Sequence, residues 1–296
     1  MHNTGPFKIL FIINPISGGK AKQDWESSIR EFFKESPHTI EFFLLDGKND
    51  DSSVKHWIDK VNPHRVVAVG GDGTVSLVAK ALLGSDIALA ILPAGSANGM
   101  AKELDIPQTV KEGIEVIING QVKAADVIRI NEDRICLHLS DIGMNAKLVK
   151  YFEEGKLRGK WGYARVLLKV LNNKTLMHVI IDSNEEEIRR KAFMVVLANA
   201  RKYGTGAVIN PDGDLYDGLF EVIIIRRLAL SEILKVLIRP GPFNPKKFEV
   251  IHAKHVSIKT LKPVHFQVDG EYLGKVDEVN AYIEEAKLQL VVPAKK

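Results

Sequence analysis

The residues best suited to chemistry are Gly70-Gly71-Asp72-Gly73-Thr74, which follow the apolar run Val66-Val67-Ala68-Val69 and precede a helix-like segment from Val75 to Leu83. Glycines lack Cβ atoms, so the backbone can turn sharply there and lie close against a ligand. Free N–H groups at the turn and the positive end of the helix dipole suit an anion such as phosphate. Asp72 sets a carboxylate beside that anion, and a Mg²⁺ ion would reconcile the two charges. Two further segments share this design. The apolar run Phe7 to Ile13 ends in Asn14-Pro15-Ile16-Ser17-Gly18-Gly19-Lys20, and Ile87 to Leu92 ends in Pro93-Ala94-Gly95-Ser96-Ala97-Asn98-Gly99. Loops that follow parallel strands share one sheet edge, where open α/β folds bind ligands. Nucleotide binding is the reading. Asn14 and Ser17 line the first loop; Gly70, Gly71 and Gly73 let the backbone approach the phosphates, with Thr74 beginning the helix. Gly95, Ser96 and Asn98 form the third loop, where Ser and Asn either donate hydrogen bonds to the ligand or cap the next helix. Lys20 is not a Walker lysine, because the required glycine spacing is missing.

These loops need a scaffold. From Phe7 to about Asn119, apolar runs (Phe7–Ile13, Ile40–Leu45, Arg65–Val69, Ile87–Leu92) alternate with helical patterns near Gln23–Lys34, Ser53–Val61, Val75–Leu83 and Val110–Ile118. That alternation predicts a doubly wound parallel sheet. Beyond Gly120 the pattern changes to short β-like runs: Val179–Asp182, Ala192–Ala198, Phe220–Ile225, Phe248–His252, Val256–Lys259, Val264–Val268 and Leu288–Val292. Helical stretches are expected at Ala146–Glu154 and Trp161–Leu171. The fold class is therefore α/β, with a mainly antiparallel β-sandwich as a second domain. Asn119-Gly120-Gln121 marks the expected boundary, giving domains 1–120 and 121–296.

In order, the N-P-x-S-G, G-G-D-G-T and L-P-x-G-[ST]-x-N segments resemble the catalytic domain shared by diacylglycerol kinases, sphingosine kinases and the soluble bacterial lipid kinases. Here they are Asn14 to Gly18, Gly70 to Thr74, and Leu92 to Asn98. Tyr203-Gly204-Thr205-Gly206, Pro211 with Asp217-Gly218-Leu219, and Val268-Asp269-Gly270-Glu271 extend the resemblance through the C-terminal half. It implies an NAD kinase- or phosphofructokinase-like first domain and ATP- and Mg²⁺-dependent phosphorylation of a lipid hydroxyl. Such a transfer needs an acceptor for the hydroxyl proton. Asp269 and Glu271 are the candidates, two residues apart and on one side of an extended backbone. Asp-Gly between apolar runs is equally a hairpin turn; the resemblance favours the catalytic role, with Asp269 as base and Glu271 assisting. It also implies a Mg²⁺ held by Asp217 with the carbonyls of Asp214 and Leu219, and a linking role for Asp126.

Departures from the family pattern are Val75-Ser76-Leu77, where many members carry Leu-Asn-Glu, and Asn145, where Asp is usual. They motivate a second reading, a catalytically impaired nucleotide- or lipid-binding regulator; a third is an NAD kinase-like enzyme, since that family also uses the Asp-bearing glycine loop. The chain of 296 residues has 45% hydrophobic and 26% charged residues, as globular proteins do. Its net charge of +4 suits anionic lipid surfaces and gives no argument for nucleic acid. Cys136 is the one cysteine, so there is no internal disulfide and no cysteine metal cluster. No apolar stretch approaches the ~20 residues of a membrane span, and Met1 to Lys8 lacks a signal-peptide pattern. A cytoplasmic enzyme with transient peripheral membrane association is expected, with homodimerisation left open. Lys156-Leu157-Arg158-Gly159-Lys160-Trp161 sets basic residues beside an indole, as at a lipid–water interface.

Overall fold

A computed structural model describes residues 5–17, 25–143, 146, 176–184, 186–202, 208–226 and 248–294. The chain forms two compact units, Met1–Ala125 with Ala286–Lys296, and Asp126–Glu285. The switch falls five residues beyond the boundary expected at Gly120. The expected second domain ran to residue 296, whereas the segment from Ala286 onward belongs to the first unit.

In unit 1, strands β1 (Lys8–Ile13), β2 (Thr39–Leu44), β3 (Arg65–Gly70) and β4 (Ala88–Pro93) alternate with helices α1 (Trp25–Phe33), α2 (Asp50–Val61) and α3 (Asp72–Leu82). β1 pairs in parallel with β2 and β3, and β3 pairs in parallel with β4. All six residues of both β3 and β4 are buried. Strands covered on both faces read as continuous apolar runs, which is why they were legible. The helices supply the cover. In α2, Val54, Ile58 and Val61 are buried at spacings of four and three, as are Val75, Val78, Ala79 and Leu82 in α3. A short α4 (Gly99–Glu103) and then α5 (Val110–Asn119) follow. Thr109 caps the N-terminus of α5, its hydroxyl accepting the Glu112 N–H and donating to the Glu112 carboxylate.

The remaining strands are β5 (Gln121–Ile130), β6 (Arg134–Cys136), β7 (Leu139–Gly143), β8 (Met177–Ser183), β9 (Glu186–Ala192), β10 (Met194–Ala198), β11 (Phe220–Ile225), β12 (Phe248–Ala253), β13 (His255–Val268) and β14 (Glu271–Val292). In unit 2, β10 lies antiparallel between β7 and β11, and β12 pairs with β11. The two runs expected at Val256–Lys259 and Val264–Val268 are one strand, β13, with a register shift between Lys259 and Val264. Its first half pairs with β8 and its last three residues with β7, so two groups of strands diverge along it. Phe220, Val222 and Ile224 of β11 enter a core shared with Ile142, Ile181 and Phe266. The alternate residues Ile223 and Ile225 pack with Met194, Val196 and Phe248. This sandwich-like antiparallel arrangement is the expected one. The expected helices at Ala146–Glu154 and Trp161–Leu171, the Lys156–Trp161 segment, Tyr203–Gly206, Lys20 and Asn145 lie outside the described residues, Ala146 excepted.

Candidate active site

The three loops of unit 1 follow β1, β3 and β4, and their partners tie them to one another. The backbone N–H of Asn14 donates to the Val69 carbonyl at 3.0 Å, and its side-chain amide donates to Thr74 Oγ1 at 3.3 Å. The Ser17 N–H returns to the Asn14 carbonyl at 3.2 Å. Thr74 is buried, so its hydroxyl serves the loop junction. The third loop closes on Asn98, which takes a left-handed backbone with φ 51°. Its side-chain oxygen accepts the Gly95 N–H, and its amide donates to the Gly95 carbonyl and to Gln108 Oε1. Ser96 is exposed.

Gly95 is packed against Gly71. A Cβ at Gly95 would lie 2.5 Å from the Gly71 Cα and 2.8 Å from Asn98 Oδ1. Only glycine lets two backbones meet this closely. Gly73, by contrast, opens onto free space. Asp72 occupies the first turn of α3, and both its oxygens are engaged: Oδ2 accepts the Gly99 N–H and Oδ1 the Met100 N–H, each at 3.0 Å. Asp72 thus caps α4 from another segment and locks the second loop to the third. The sequence identified the carboxylate but not this partner, 27 residues away.

In unit 2, Asp269 and Gly270 are the two central residues of the hairpin joining β13 to β14, both with positive φ (48° and 90°). Paired left-handed residues are the signature of a type I′ turn. The hairpin reading therefore holds as geometry, and the carboxylate has a setting of its own. Asp269 Oδ2 accepts the Leu137 N–H at 2.9 Å, and Oδ1 accepts the His138 and Leu139 N–H groups at 2.9 and 3.2 Å. The Cys136 thiol donates to Oδ1 at 3.4 Å. Burial pushes the Asp269 carboxyl above the usual carboxylate range, while the amides of Leu137 and His138 and the charge of His138 pull it down. Burial, followed by the charge of Asp269, drives the Cys136 thiol well up, so it is no nucleophile. Glu271 differs: its side chain is 71% exposed, with Arg134 at 4.0 Å.

The turn is held from behind as well. Gln267 is buried, its Oε1 accepting the Gly270 N–H at 2.7 Å and its amide donating to Asp141. Asp141 also accepts the Ala146 N–H at 2.9 Å. A second carboxylate group lies between Asn210 and β11. The Leu219 N–H donates to Asp217 Oδ1 at 3.0 Å, and the Tyr216 N–H donates to Asp214 Oδ1 at 3.1 Å. Asp126 holds this loop through its Oδ2, which accepts the Gly218 N–H at 2.7 Å, and its own N–H, which donates to the Leu215 carbonyl. Buried Glu221 accepts from Asn210 and faces His252 Nδ1 at 3.1 Å. Among the described residues no three His, Cys, Asp or Glu side chains form a metal cluster. The Asp214–Leu219 loop offers carboxylate and carbonyl oxygens instead, a donor set that fits a hard cation.

Asp141, Asn199, Gln267 and Glu221 went unremarked in the sequence. Their signal is a buried polar residue within or just after an apolar run, as in Leu139-Ser140-Asp141-Ile142 and Phe266-Gln267-Val268.

Comparison with known proteins matches residues 8–130 to the diacylglycerol kinase catalytic domain and residues 140–292 to the YegS C-terminal NAD kinase beta sandwich-like domain. A diacylglycerol kinase of Mycobacterium tuberculosis (strain ATCC 25618 / H37Rv) is 24% identical over 273 residues, covering 89% of this chain and 86% of that one. One from Bacillus subtilis (strain 168) is 25% identical over 244 residues, 78% of each chain. The crystal structure of a diacylglycerol kinase from Bacillus anthracis str. Sterne shares the fold with a TM-score of 0.76, at 19% identity over 97% of both chains. With both domain models matched in order, the chain belongs to the diacylglycerol kinase family of lipid kinases.

Proposed function

We propose that the protein transfers the γ-phosphoryl group of ATP to the hydroxyl of a diacylglycerol-like or sphingoid-like lipid at a membrane surface. The observation that carries this reading is the locking of three strand-end loops in unit 1 by Asn14–Thr74, Gly71–Gly95 and Asp72–Gly99/Met100 contacts. That junction fixes the backbone of Gly70, Gly71 and Gly73 for contact with the phosphates. Ser17 and Ser96 offer hydroxyls to the nucleotide. One Mg²⁺ would be held by Asp217 with the carbonyls of Asp214 and Leu219 and would order that loop; a Mg²⁺ held by Asp72 would, when bound, neutralise phosphate charge.

Asp269 accepts the proton of the lipid hydroxyl, with Glu271 assisting. Burial supports this role, because a carboxyl pushed above its ordinary range is a stronger base. The amides of residues 137–139 fix its orientation. Among the described residues no helix is long and apolar enough to cross a membrane, and the lipid is met at the bilayer surface.

The test is product formation from ATP-Mg²⁺ and mixed micelles carrying a panel of lipid alcohols, read by mass spectrometry, with NAD as a separate acceptor. A phosphorylated lipid that disappears in Asp269→Asn and Asp72→Ala supports the proposal. NAD phosphorylation, or ATP binding without any product, overturns it in favour of the NAD kinase-like or regulatory reading.

A further inference from the structure

Asn199 follows β10 and is 1% exposed. Its side-chain amide donates to two carbonyls from different elements, Asp126 at 2.9 Å and Leu137 at 3.0 Å. Its backbone N–H donates to the His138 carbonyl at 3.1 Å. The carbonyl of Leu137 and the N–H of His138 belong to one peptide unit; the carbonyl of His138 and the N–H of Leu139 belong to the next. Asn199 thus grips the oxygen side of two peptide planes whose N–H sides both point at Asp269 Oδ1. A hydrogen bond at a carbonyl polarises the N–H across the same peptide, so each grip orients and strengthens a bond to the carboxylate. Through the carbonyl of Asp126, the same amide reaches the residue that latches Gly218 in the Asp214–Leu219 loop.

We propose that Asn199 is a positioning residue that couples the Asp269 turn to the Asp126-latched loop, so that both carboxylate groups of unit 2 are held by one side chain. The catalytic consequence rests on the lipid kinase reading above. The fully buried Oδ1 of Asn199 has no hydrogen-bond partner among the described residues. A residue kept only for packing would not carry that cost, which singles out the two donors as the reason for an amide here. An isosteric carboxylate would turn both donors into acceptors facing carbonyl oxygens.

The experiment is amide hydrogen exchange on the full chain, wild type against Asn199→Ala, followed by turnover of ATP-Mg²⁺ with the lipid panel. Coupling predicts exchange faster by about tenfold at both Leu137–Leu139 and Gly218, with β1, β3 and β4 unchanged. It also predicts a fall in kcat of about 10- to 100-fold with KM for ATP unaltered. Acceleration at only one of the two segments, uniform acceleration throughout the chain, or an unchanged kcat overturns the proposal. If Asn199→Ala does not fold, Asn199→Ser, which keeps one hydroxyl donor, is read in the same way. Wild type inactive on every lipid would refute the kinase reading, while the exchange data would still decide the coupling.

Discussion

Asp72 and Asp269 make an instructive pair. Each stands beside glycine, and each carboxylate is held by backbone N–H groups of a different segment. Asp72 reaches two amides at the start of α4, only 27 and 28 residues away, across a single intervening strand, β4. Asp269 reaches three amides more than 129 residues upstream, and its carboxyl is pushed up by burial. The first arrangement locks one loop to its neighbour; the second ties a turn carboxylate to three successive amides of a distant segment. A short motif can announce a carboxylate, but its chemistry depends on which amides the fold delivers to it.

The largest test of this contrast replaces each carboxylate isosterically. Asp269→Asn removes the proposed base and turns an amide NH2 toward the N–H groups of residues 137–139, so kcat should fall by about 10²- to 10⁴-fold and Tm should fall with it. Asp72→Asn should instead loosen the third loop, raising KM for ATP more than it lowers kcat; equal losses of kcat in both variants would erase the distinction.

A smaller effect is expected from the glycines. Gly95→Ala sets a Cβ against the Gly71 backbone and should cost about 1–3 kcal/mol in chemical denaturation, with ATP-Mg²⁺ binding weakened in titration calorimetry. Gly73→Ala meets nothing and should stabilise the fold by about 0.4–1 kcal/mol. Weakened ATP binding in that more stable variant would reserve the space for the phosphates; unchanged binding would remove Gly73 from the contact.

The smallest effects are pH-dependent and run in opposite directions within unit 2. Burial raises the pKa of Glu221, with the Asn210 and His252 hydrogen bonds opposing it. Its contribution to stability is therefore present below the unfolded pKa and is lost as pH rises through the folded value. Glu221→Gln should gain on wild type in Tm as pH rises from about 4 toward 7. For Glu249 the Arg190 hydrogen bond lowers the pKa, with Arg226 adding to it. Its stabilisation is present above the unfolded pKa and is lost as pH falls through the folded value. Glu249→Gln should lose up to about 1 kcal/mol near neutrality and nothing at low pH. Parallel pH profiles for the two variants would contradict both assignments.

Strands β1, β3 and β4 were legible because burial made each an apolar run, and the glycine loops because their turns demand particular residues. Other strands were hidden for physical reasons. β9 reads Glu-Glu-Ile-Arg-Arg-Lys-Ala, and only Ala192 is buried, so no periodic apolar face marks it. Among the described residues it pairs with β8 alone, an edge where charge protects against unwanted strand pairing. Of β14, Leu288–Val292 alone forms an apolar run, because its earlier part is mostly exposed or half-buried. Asn199 and Gln267 were hidden differently. A buried amide is recognisable in an apolar run, but the acceptors of its side-chain N–H groups lie 62 to 126 residues away.

That long last strand also bears on the order in which the protein is made. Leu290 pairs with Leu89, and the Gly84 N–H donates to the Lys287 carbonyl, so the sheet of unit 1 takes its last strand from the far end of the chain. Unit 2 spans Asp126–Glu285 and is already synthesised when that strand emerges from the ribosome. Unit 1 is therefore completed after unit 2, and pulse-labelled exchange on nascent chains should find unit 2 protected while unit 1 still awaits Leu288–Val292. The strand that completes the sheet of unit 1 thus makes the folding of that unit wait on the synthesis of all of unit 2.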